Sequence, residues 1–223
     1  MALTLVIANK NYSSWSLRAW LTLAHGGLEF DEVRIALDQP ETKANILAYS
    51  PNGKVPCLVD TGVTVKGGAL VVWDSLAISE YVNEKYLGGR FWPRDEGLRA
   101  QARAVTAEMH SGFAPLRTHM SMHIRERYPD KGRIAQARDD VAADIERIKA
   151  IWLEALDITG GPFLFGDYSI ADSFFAPVAA RFVTYGVALP APLAAWSDLI
   201  FALPAMRRWV DAAKAEKEVL SDH

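Results

Sequence analysis

Two adjacent serines, Ser13 and Ser14, are the first side chains in the sequence whose position suggests chemistry. They follow the apolar run 3–8, which predicts a short buried strand, and they precede residues 17–24, whose apolar spacing predicts a helix. The first N–H groups of a helix lack partners within it, and the helix dipole places partial positive charge there. Such a point stabilises anions, including thiolates. The junction contains no cysteine, so a thiolate held there would belong to a ligand. The alternative is that either serine simply caps the helix.

Two further positions, Val55-Pro56 and Asp74-Ser75, have residues that could bind a ligand. Val55-Pro56 precedes a predicted strand, where a proline has no N–H for the ladder. A cis bond there would turn the Val55 backbone outward to pair with an extended peptide, whereas a trans proline in an ordinary turn is the commoner case. Asp74-Ser75 lies at a second strand-to-helix junction and offers a carboxylate, a hydroxyl and N–H groups to a ligand with an ammonium and a carboxylate. Helix capping is again the alternative.

The segment 166–172 has a structural rather than a chemical signature. Ser169 and Asp172 have the spacing of a capping box, with Asp in place of the usual Glu or Gln. This pair predicts the start of a core helix in the second half of the chain.

The composition limits the classes of protein and of partner. The chain has 223 residues, 50% of them hydrophobic, and a net charge of −3 with both signs interspersed. Nucleic acid is therefore not expected as the main partner. We find no signal-peptide pattern and no apolar segment near the ~20 residues of a membrane span, so we expect no membrane association.

The cysteine and histidine content argues against disulfides and metals. The one cysteine, Cys57, excludes an intrachain disulfide and, with the absence of a targeting pattern, predicts a cytoplasmic protein. Cys57 falls on a predicted buried strand, so we expect a core role. His110, His119 and His123 share one predicted helix without a zinc-binding context, and we expect no metal site.

Strand and helix patterns alternate in the first half and give way to helices in the second. The predicted elements are strands 3–8, 29–35, 57–60 and 69–73, and helices 17–24, 41–49, 75–86, 96–127, 132–156, 170–186, 192–202 and 205–215. We predict an α/β domain at 1–87, a linker at 88–94 and an all-helical domain at 95–223. The hairpin that begins at Cys57 leaves room for an added loop at 64–69.

In this order and spacing, the motifs resemble the cytosolic glutathione transferase family across nearly the whole chain. The resemblance is carried by residues 13–18, by Val55-Pro56, by Asp74-Ser75 and by the capping motif at 166–172, and the serine-type classes, zeta and its relatives, match residues 12–18 best. It implies a thioredoxin-like N-terminal domain that holds glutathione, an all-helical domain that shapes the pocket for a second substrate, and a homodimer.

The resemblance also implies roles for individual residues. Ser13 would donate a hydrogen bond to the glutathione sulfur, and a shift of one residue would give that role to Ser14. The residues implied for binding glutathione are Val55 through its backbone, a cis Pro56, Asp74 and Ser75 at the γ-glutamyl end, Lys43 and Lys54 at the glycine carboxylate, and Trp15 beside the serines. Zeta enzymes have cysteine where Trp15 stands, and the family most often has Glu at the position of Asp74. The missing cysteine weighs against maleylacetoacetate isomerase activity.

The first long helix of the second half offers a wall for the second substrate. The expected wall residues are Met109, His110, Phe113, Arg117 and Met120. Bundle core is the alternative for Met109, Phe113 and Met120, and solvated surface is the alternative for Arg117.

The resemblance implies an enzyme that lowers the pKa of the glutathione thiol and transfers glutathione to a small hydrophobic or electrophilic substrate. Two alternatives remain. One is a glutathione-dependent isomerase or peroxidase that uses the same thiolate, and the other is a glutathione-transferase-like binding protein with little catalysis.

Overall fold

The computed structural model, which describes residues 2–220, contains four strands and three helices followed by seven further helices. In chain order the elements are β1 (Leu3–Ile7), α1 (Ser14–His25), β2 (Asp31–Arg34), α2 (Thr42–Leu47), β3 (Cys57–Val65), β4 (Gly68–Val72), α3 (Ser75–Lys85), α4 (Glu96–Ser111), α5 (Ala114–His119), α6 (Pro129–Gln136), α7 (Asp139–Thr159), α8 (Ile170–Tyr185), α9 (Ala191–Ala202) and α10 (Pro204–Ala215). The predicted fold class, a thioredoxin-like α/β part followed by helices, is confirmed.

The sheet has the strand order β2-β1-β3-β4. β1 pairs in parallel with β2 and antiparallel with β3, and β4 pairs antiparallel with β3. Parallel neighbours need a crossover connection, which α1 supplies. The start of α1 therefore follows directly from the end of a central, buried strand.

The hairpin between β3 and β4 has no added loop, so that expectation was wrong. Thr64 pairs with Ala69, and Val65 pairs with Gly68, so the strands continue to a tight turn. The turn residues, Lys66 and Gly67, both have positive φ. The β-branched run that ends at Val65 favours strand, and a register shift between Asp60 and Thr64 accommodates the extra length.

The helix predicted at 96–127 is in fact two shorter helices, α4 and α5, followed by irregular chain. Phe113, between them, has a left-handed backbone, and a Cβ atom at Gly112 would lie 2.7 Å from a carbonyl oxygen of α4. His110, His119 and His123 therefore do not share a helix, because α5 ends at His119.

The helix predicted at 132–156 is also two helices, α6 and α7, so that prediction was wrong. α6 begins at Pro129, which lies in the predicted break between the helices at 96–127 and 132–156, and α7 extends to Thr159. Proline is favoured in the first turn of a helix, where no N–H is needed. The glycine at 132 lets α6 approach the end of α8, because a Cβ there would lie 1.8 Å from the Tyr185 carbonyl oxygen.

Helix α8 is buried along almost its whole length and is the centre of the helical part. Its predicted capping box is present: one oxygen of Asp172 accepts hydrogen bonds from the Ser169 N–H at 2.9 Å and from the Ser169 hydroxyl at 3.0 Å. α8 packs against α1, and one continuous hydrophobic core joins both parts of the chain. Cys57 is buried in a smaller cluster on the sheet, as predicted. Within residues 2–220, no helix is both long and apolar enough to cross a membrane.

A buried carboxylate fixes α3 to the sheet. Asp60, on β3, is fully buried and accepts hydrogen bonds from the hydroxyls of Tyr81, at 2.6 Å, and Tyr86. It also accepts from Lys85 Nζ at 3.2 Å and from the Gly62 N–H at 2.8 Å. Burial by itself would raise the pKa of Asp60, but these four hydrogen bonds to the charged form outweigh it and lower the pKa.

We expect Asp60→Asn to reduce the free energy of unfolding by about 1.5–3 kcal/mol at pH 7, since hydrogen bonds to a charged acceptor are lost. A lowered folded-state pKa stabilises the protein above the unfolded-state pKa of about 3.9, and this stabilisation disappears as the pH falls through the folded-state pKa. The difference between the two proteins should therefore shrink below about pH 4 in urea titrations. Asp167→Asn, at an exposed position, is the control and should change the free energy of unfolding by at most about 0.5 kcal/mol. A difference that stays constant down to low pH would contradict the assignment.

Candidate functional site

The hydroxyl of Ser13 is used inside α1. Ser13 is the N-cap residue, and its Oγ accepts a hydrogen bond from the Ser16 N–H at 3.2 Å. The same hydroxyl donates to Ser16 Oγ at 2.8 Å, and Ser16 Oγ also accepts from the Ala8 N–H at 3.1 Å. The Ser13 hydroxyl therefore already donates its proton to Ser16, within the same turn of α1.

The hydroxyl of Ser14 faces the helical part of the molecule. Ser14 is the first residue of α1, and its Oγ accepts a hydrogen bond from Nη2 of Arg181, on α8, at 3.3 Å. Its own proton has no acceptor among the described residues. A serine oxygen that already accepts from a guanidinium can still donate that proton to an anion.

The loop that leads into the serines is fixed by the chain's C-terminal segment. Glu216, directly after α10, accepts hydrogen bonds from the Lys10 N–H at 2.7 Å and from the Asn11 N–H at 3.0 Å. Arg125 donates to the Glu216 carbonyl oxygen, and the Asn11 side chain accepts from the Arg125 N–H at 2.9 Å. The segment after α10 therefore contacts the loop two residues before Ser13.

We expect Glu216→Ala to reduce the free energy of unfolding by about 2 kcal/mol, because two backbone N–H groups lose a charged acceptor. Glu218→Ala is the matched control. The Glu218 carboxylate pairs with the partly exposed Arg34 side chain at 2.7 Å, and such surface pairs contribute at most about 1 kcal/mol. Denaturant unfolding of both variants measures the difference, and equal losses would contradict the role assigned to Glu216.

The residues predicted to hold the middle and the glycine end of glutathione lie before β3 and on α2. The Val55–Pro56 peptide bond is cis, with Val55 half-buried and Pro56 buried. Lys43, on α2, and Lys54 are both exposed. The Lys54 N–H donates to the Asn52 side chain at 2.9 Å, which fixes the turn before the cis proline.

Asp74 and Ser75 form the start of α3. One Asp74 oxygen caps the helix by accepting from the N–H groups of Leu76, at 3.0 Å, and Ala77, at 3.5 Å. The other oxygen lies 3.0 Å from Nε2 of His110, on α4. Burial lowers the pKa of His110, and the Asp74 charge opposes this shift. Ser75 is fully buried, and its Oγ has no hydrogen-bond partner within the described chain.

Three arginines and Trp15 lie where α1 meets the helical part. The Trp15 indole is 38% exposed and lies 4.5 Å from the Arg18 guanidinium carbon and 5.0 Å from that of Arg117. Its ring also makes an edge contact with His110 at 5.3 Å. Arg18 and Arg181 are buried, and burial, with the positive charge of Arg117, lowers the pKa of both.

Arg18 and Arg181 were missed by the sequence reading. Each interrupts an apolar run on a helix that is buried nearly all round, at 17–24 and at 174–182. Arginine is rarely buried unless its charge is paired. An arginine within a buried apolar run was therefore the signal in the sequence that could have identified both residues.

The predicted second-substrate residues fall into two groups. His110 and Arg117 lie around Trp15 and Asp74, beside the start of α1. Met109, Phe113 and Met120 are buried members of the main core, and the Met120 carbonyl oxygen accepts from Arg181 Nε at 2.8 Å. Their side chains therefore pack the helices together behind the site.

The chain is similar to known glutathione transferases in sequence and in structure. Residues 12–85 match the family model described as glutathione S-transferase, N-terminal domain. A Burkholderia glutathione transferase homolog, solved with bound glutathione, has 25% sequence identity and a TM-score of 0.67, with 96% of this chain and 99% of that chain covered. The chain therefore contains a glutathione S-transferase N-terminal domain and is similar to a glutathione transferase homolog over nearly its whole length. The resemblance stated from the motifs is confirmed.

Relatives in this family include two isomerases. A probable maleylacetoacetate isomerase from Caenorhabditis elegans is 33% identical over 104 residues, which cover 47% of this chain and 45% of that protein. Maleylacetoacetate isomerase from Rattus norvegicus is 27% identical over 173 residues, which cover 76% of this chain and 74% of that protein. The first alignment thus spans less than half of the relative, and the second about three quarters.

Proposed function

We propose that this protein is a glutathione transferase that activates the glutathione thiol through Ser14. The observation that carries the proposal is the different use of the two serine hydroxyls. Ser13 donates to Ser16, whereas Ser14 accepts from Arg181 and keeps its proton available. This proposal replaces Ser13, our first expectation, with its neighbour.

The chemistry follows from thiol ionisation. A free thiol with a pKa of about 8.5 is mostly protonated at neutral pH, and the thiolate is the nucleophile. One charge-assisted hydrogen bond and the helix dipole together would lower this pKa by roughly two units. The thiolate then attacks an electrophilic centre, and the leaving group departs with the electron pair of the broken bond.

We place glutathione against residues 1–87. Val55, with its cis Pro56, would pair with the extended peptide, and Asp74 and Ser75 would hold the γ-glutamyl end. Trp15 would border the sulfur, and the exposed Lys43 and Lys54 would reach the glycine carboxylate. One oxygen of Asp74 caps α3 with both of its lone pairs, but the other, which contacts His110, keeps a further lone pair for the ligand ammonium.

The second substrate, a small hydrophobic or electrophilic compound, would bind against residues 95–223. His110 and Arg117 would contact it, and Met109, Phe113 and Met120 would support these two side chains.

We also propose that the protein acts as a cytoplasmic homodimer, as its family resemblance and single cysteine suggest.

The test is retention on immobilised glutathione followed by conjugation of glutathione to chlorodinitrobenzene. We expect both binding and turnover. Binding without turnover would favour the carrier role and contradict the proposal.

Isomerisation is the second candidate, because three of the curated relatives are named maleylacetoacetate isomerase or probable maleylacetoacetate isomerase. The same thiolate would add to a double bond and leave again after rotation. A maleyl compound converted with no net loss of glutathione would identify this activity, and hydrogen peroxide reduction would identify a peroxidase.

A further inference from the structure

We propose that Glu216 is a positioning residue for the reaction: its carboxylate holds the loop before α1 so that the Ser14 hydroxyl stays within reach of the glutathione sulfur. The inference rests on the proposed function, because it concerns the hydroxyl assigned to thiol activation. Glu216 has no contact with either substrate in this role. It acts only through the backbone of residues 10 and 11.

The loop between β1 and α1 has few hydrogen bonds of its own. The Asn9 carbonyl oxygen accepts from the N–H groups of Tyr12, at 3.2 Å, and Ser13, at 2.9 Å, and these two bonds close one turn. The N–H groups inside that turn belong to Lys10 and Asn11, and both donate to a group outside the loop. Because backbone N–H groups require an acceptor, the position of the turn relative to the helices depends on that group.

The acceptor is the carboxylate of Glu216, which uses both of its oxygens. Oε1 accepts from the Lys10 N–H at 2.7 Å, and Oε2 accepts from the Asn11 N–H at 3.0 Å. The side chain is only 7% exposed, so water competes little for these charge-assisted bonds. On the preceding helix, α10, Trp209 Nε1 donates to the Lys10 carbonyl oxygen at 3.1 Å. One short stretch of chain therefore binds two successive peptide groups of the loop.

The same loop holds the irregular segment that follows α5. The Asn11 carbonyl oxygen accepts from the Ile124 N–H at 3.2 Å, and the Asn11 side chain accepts from the Arg125 N–H at 2.9 Å. The Arg125 guanidinium in turn donates to the Glu216 carbonyl oxygen. Asn11, Arg125 and Glu216 thus form a closed set of hydrogen bonds.

This irregular segment also holds the partner of Ser14. The Met120 carbonyl oxygen accepts from Nε of Arg181 at 2.8 Å, and Nη2 of the same guanidinium donates to Ser14 Oγ at 3.3 Å. Ser14 follows the loop that Glu216 holds, and Arg181 is bound by a segment that is anchored on that loop. Both sides of the contact between Ser14 and Arg181 therefore depend on Glu216.

The ion pairs of residues 216–218 do not have this role. A surface cavity of about 470 Å³ lies beside them, with Glu32 and Arg34 among its other lining residues. Arg34 pairs with Glu218 at 2.7 Å and with Glu216 at 3.7 Å, and the side chains of Arg34 and Glu218 are 36% and 29% exposed. Hydrated pairs of this kind contribute little. Glu218 is therefore a matched control on the same stretch of chain.

The pKa of the bound glutathione thiol, measured by its ultraviolet absorbance, tests the proposal. Glu216→Ala should raise this pKa by about one unit, because the Ser14 hydrogen bond is weakened while the helix dipole remains. At pH 6.5, kcat/KM for chlorodinitrobenzene should fall about tenfold, since the thiolate fraction falls by the same factor. KM for glutathione should stay near the wild-type value. Glu216→Gln retains one acceptor oxygen and should give an intermediate pKa.

Two controls separate positioning from folding. Glu218→Ala should leave the thiol pKa unchanged. Asp60→Asn removes a buried carboxylate that fixes the end of α3 to the sheet, and it should also leave the thiol pKa unchanged although it lowers stability. Glu216→Ala combined with Ser14→Ala should have the thiol pKa of Ser14→Ala alone, because the effect of Glu216 passes through Ser14.

A thiol pKa that is unchanged in both Glu216 variants would overturn the proposal, and Glu216→Gln decides the question if Glu216→Ala does not fold. An equal shift in Asp60→Asn would also overturn it, since the effect would then be a general loss of stability. So would additive shifts in the double variant, which would exclude Ser14 as the group that Glu216 positions. A wild-type thiol that titrates like free glutathione would instead contradict the proposed function itself.

Discussion

Replacing Ser14 by alanine should reduce conjugation at pH 6.5 by roughly ten- to a hundredfold. The hydrogen bond from a hydroxyl to a thiolate is charge-assisted, and its loss of about 1.5–3 kcal/mol corresponds to about one to two pKa units. Below the thiol pKa, the thiolate fraction falls by the same factor. The measurement is kcat/KM for chlorodinitrobenzene across pH 5.5–9, in which the loss should shrink as the pH approaches the thiol pKa of the variant.

Ser13→Ala is the matched control, one residue away. Its hydroxyl caps α1 and bonds to Ser16, so this variant should lose about 1 kcal/mol of stability while the pH profile of turnover stays near that of the wild type. A reversed outcome, with Ser13→Ala shifting the profile and Ser14→Ala leaving it unchanged, would place the active hydroxyl one residue earlier.

Replacing Asp172 by alanine should have the largest effect on stability. This fully buried carboxylate accepts four hydrogen bonds: from the Ser169 N–H at 2.9 Å, the Ser169 hydroxyl at 3.0 Å, the Leu164 N–H at 3.1 Å and Trp196 Nε1 at 2.9 Å. Its removal leaves buried donors without an acceptor and the central helix α8 without its cap. We expect a loss of about 3–5 kcal/mol in the free energy of unfolding.

Such a loss lowers the melting temperature of a chain of this size by about 10 °C. Differential scanning calorimetry and denaturant unfolding give independent values. Asp198→Ala, at an exposed position on α9, is the control and should stay within about 0.5 kcal/mol of the wild type. If both variants lose equally little, the capping box contributes less to α8 than its geometry indicates.

The elements predicted correctly are those whose positions follow from neighbouring residues in the sequence. The apolar runs of the sheet, the serines at α1, the Asp74 cap and the Ser169–Asp172 box each follow from short-range chemistry, and the structure has them where they were expected. The predicted helix bounds were wrong at two breaks. Gly112 ends α4, where a Cβ atom would lie against a carbonyl oxygen of the last turn of that helix, and Pro129 begins α6 rather than separating two helices.

The chemical environment of the site could be predicted only in part. Spacing identified a strand-to-helix junction with two serines but not which hydroxyl is free, because that depends on Ser16 and on Arg181, which is 167 residues away from Ser14 along the chain. The pairing of Trp15 with Arg117 likewise joins α1 to α5. These contacts depend on how the helical part packs on the first helix, which no local pattern contains.

We propose that the protein holds glutathione as a thiolate at the start of α1. Titration of the bound thiol by its ultraviolet absorbance tests this proposal without any second substrate. The wild-type complex should ionise roughly two pKa units below a free thiol of pKa about 8.5, and Ser14→Ala should remove most of that shift. A bound thiol that titrates like free glutathione in the wild-type protein would contradict thiolate activation at this site.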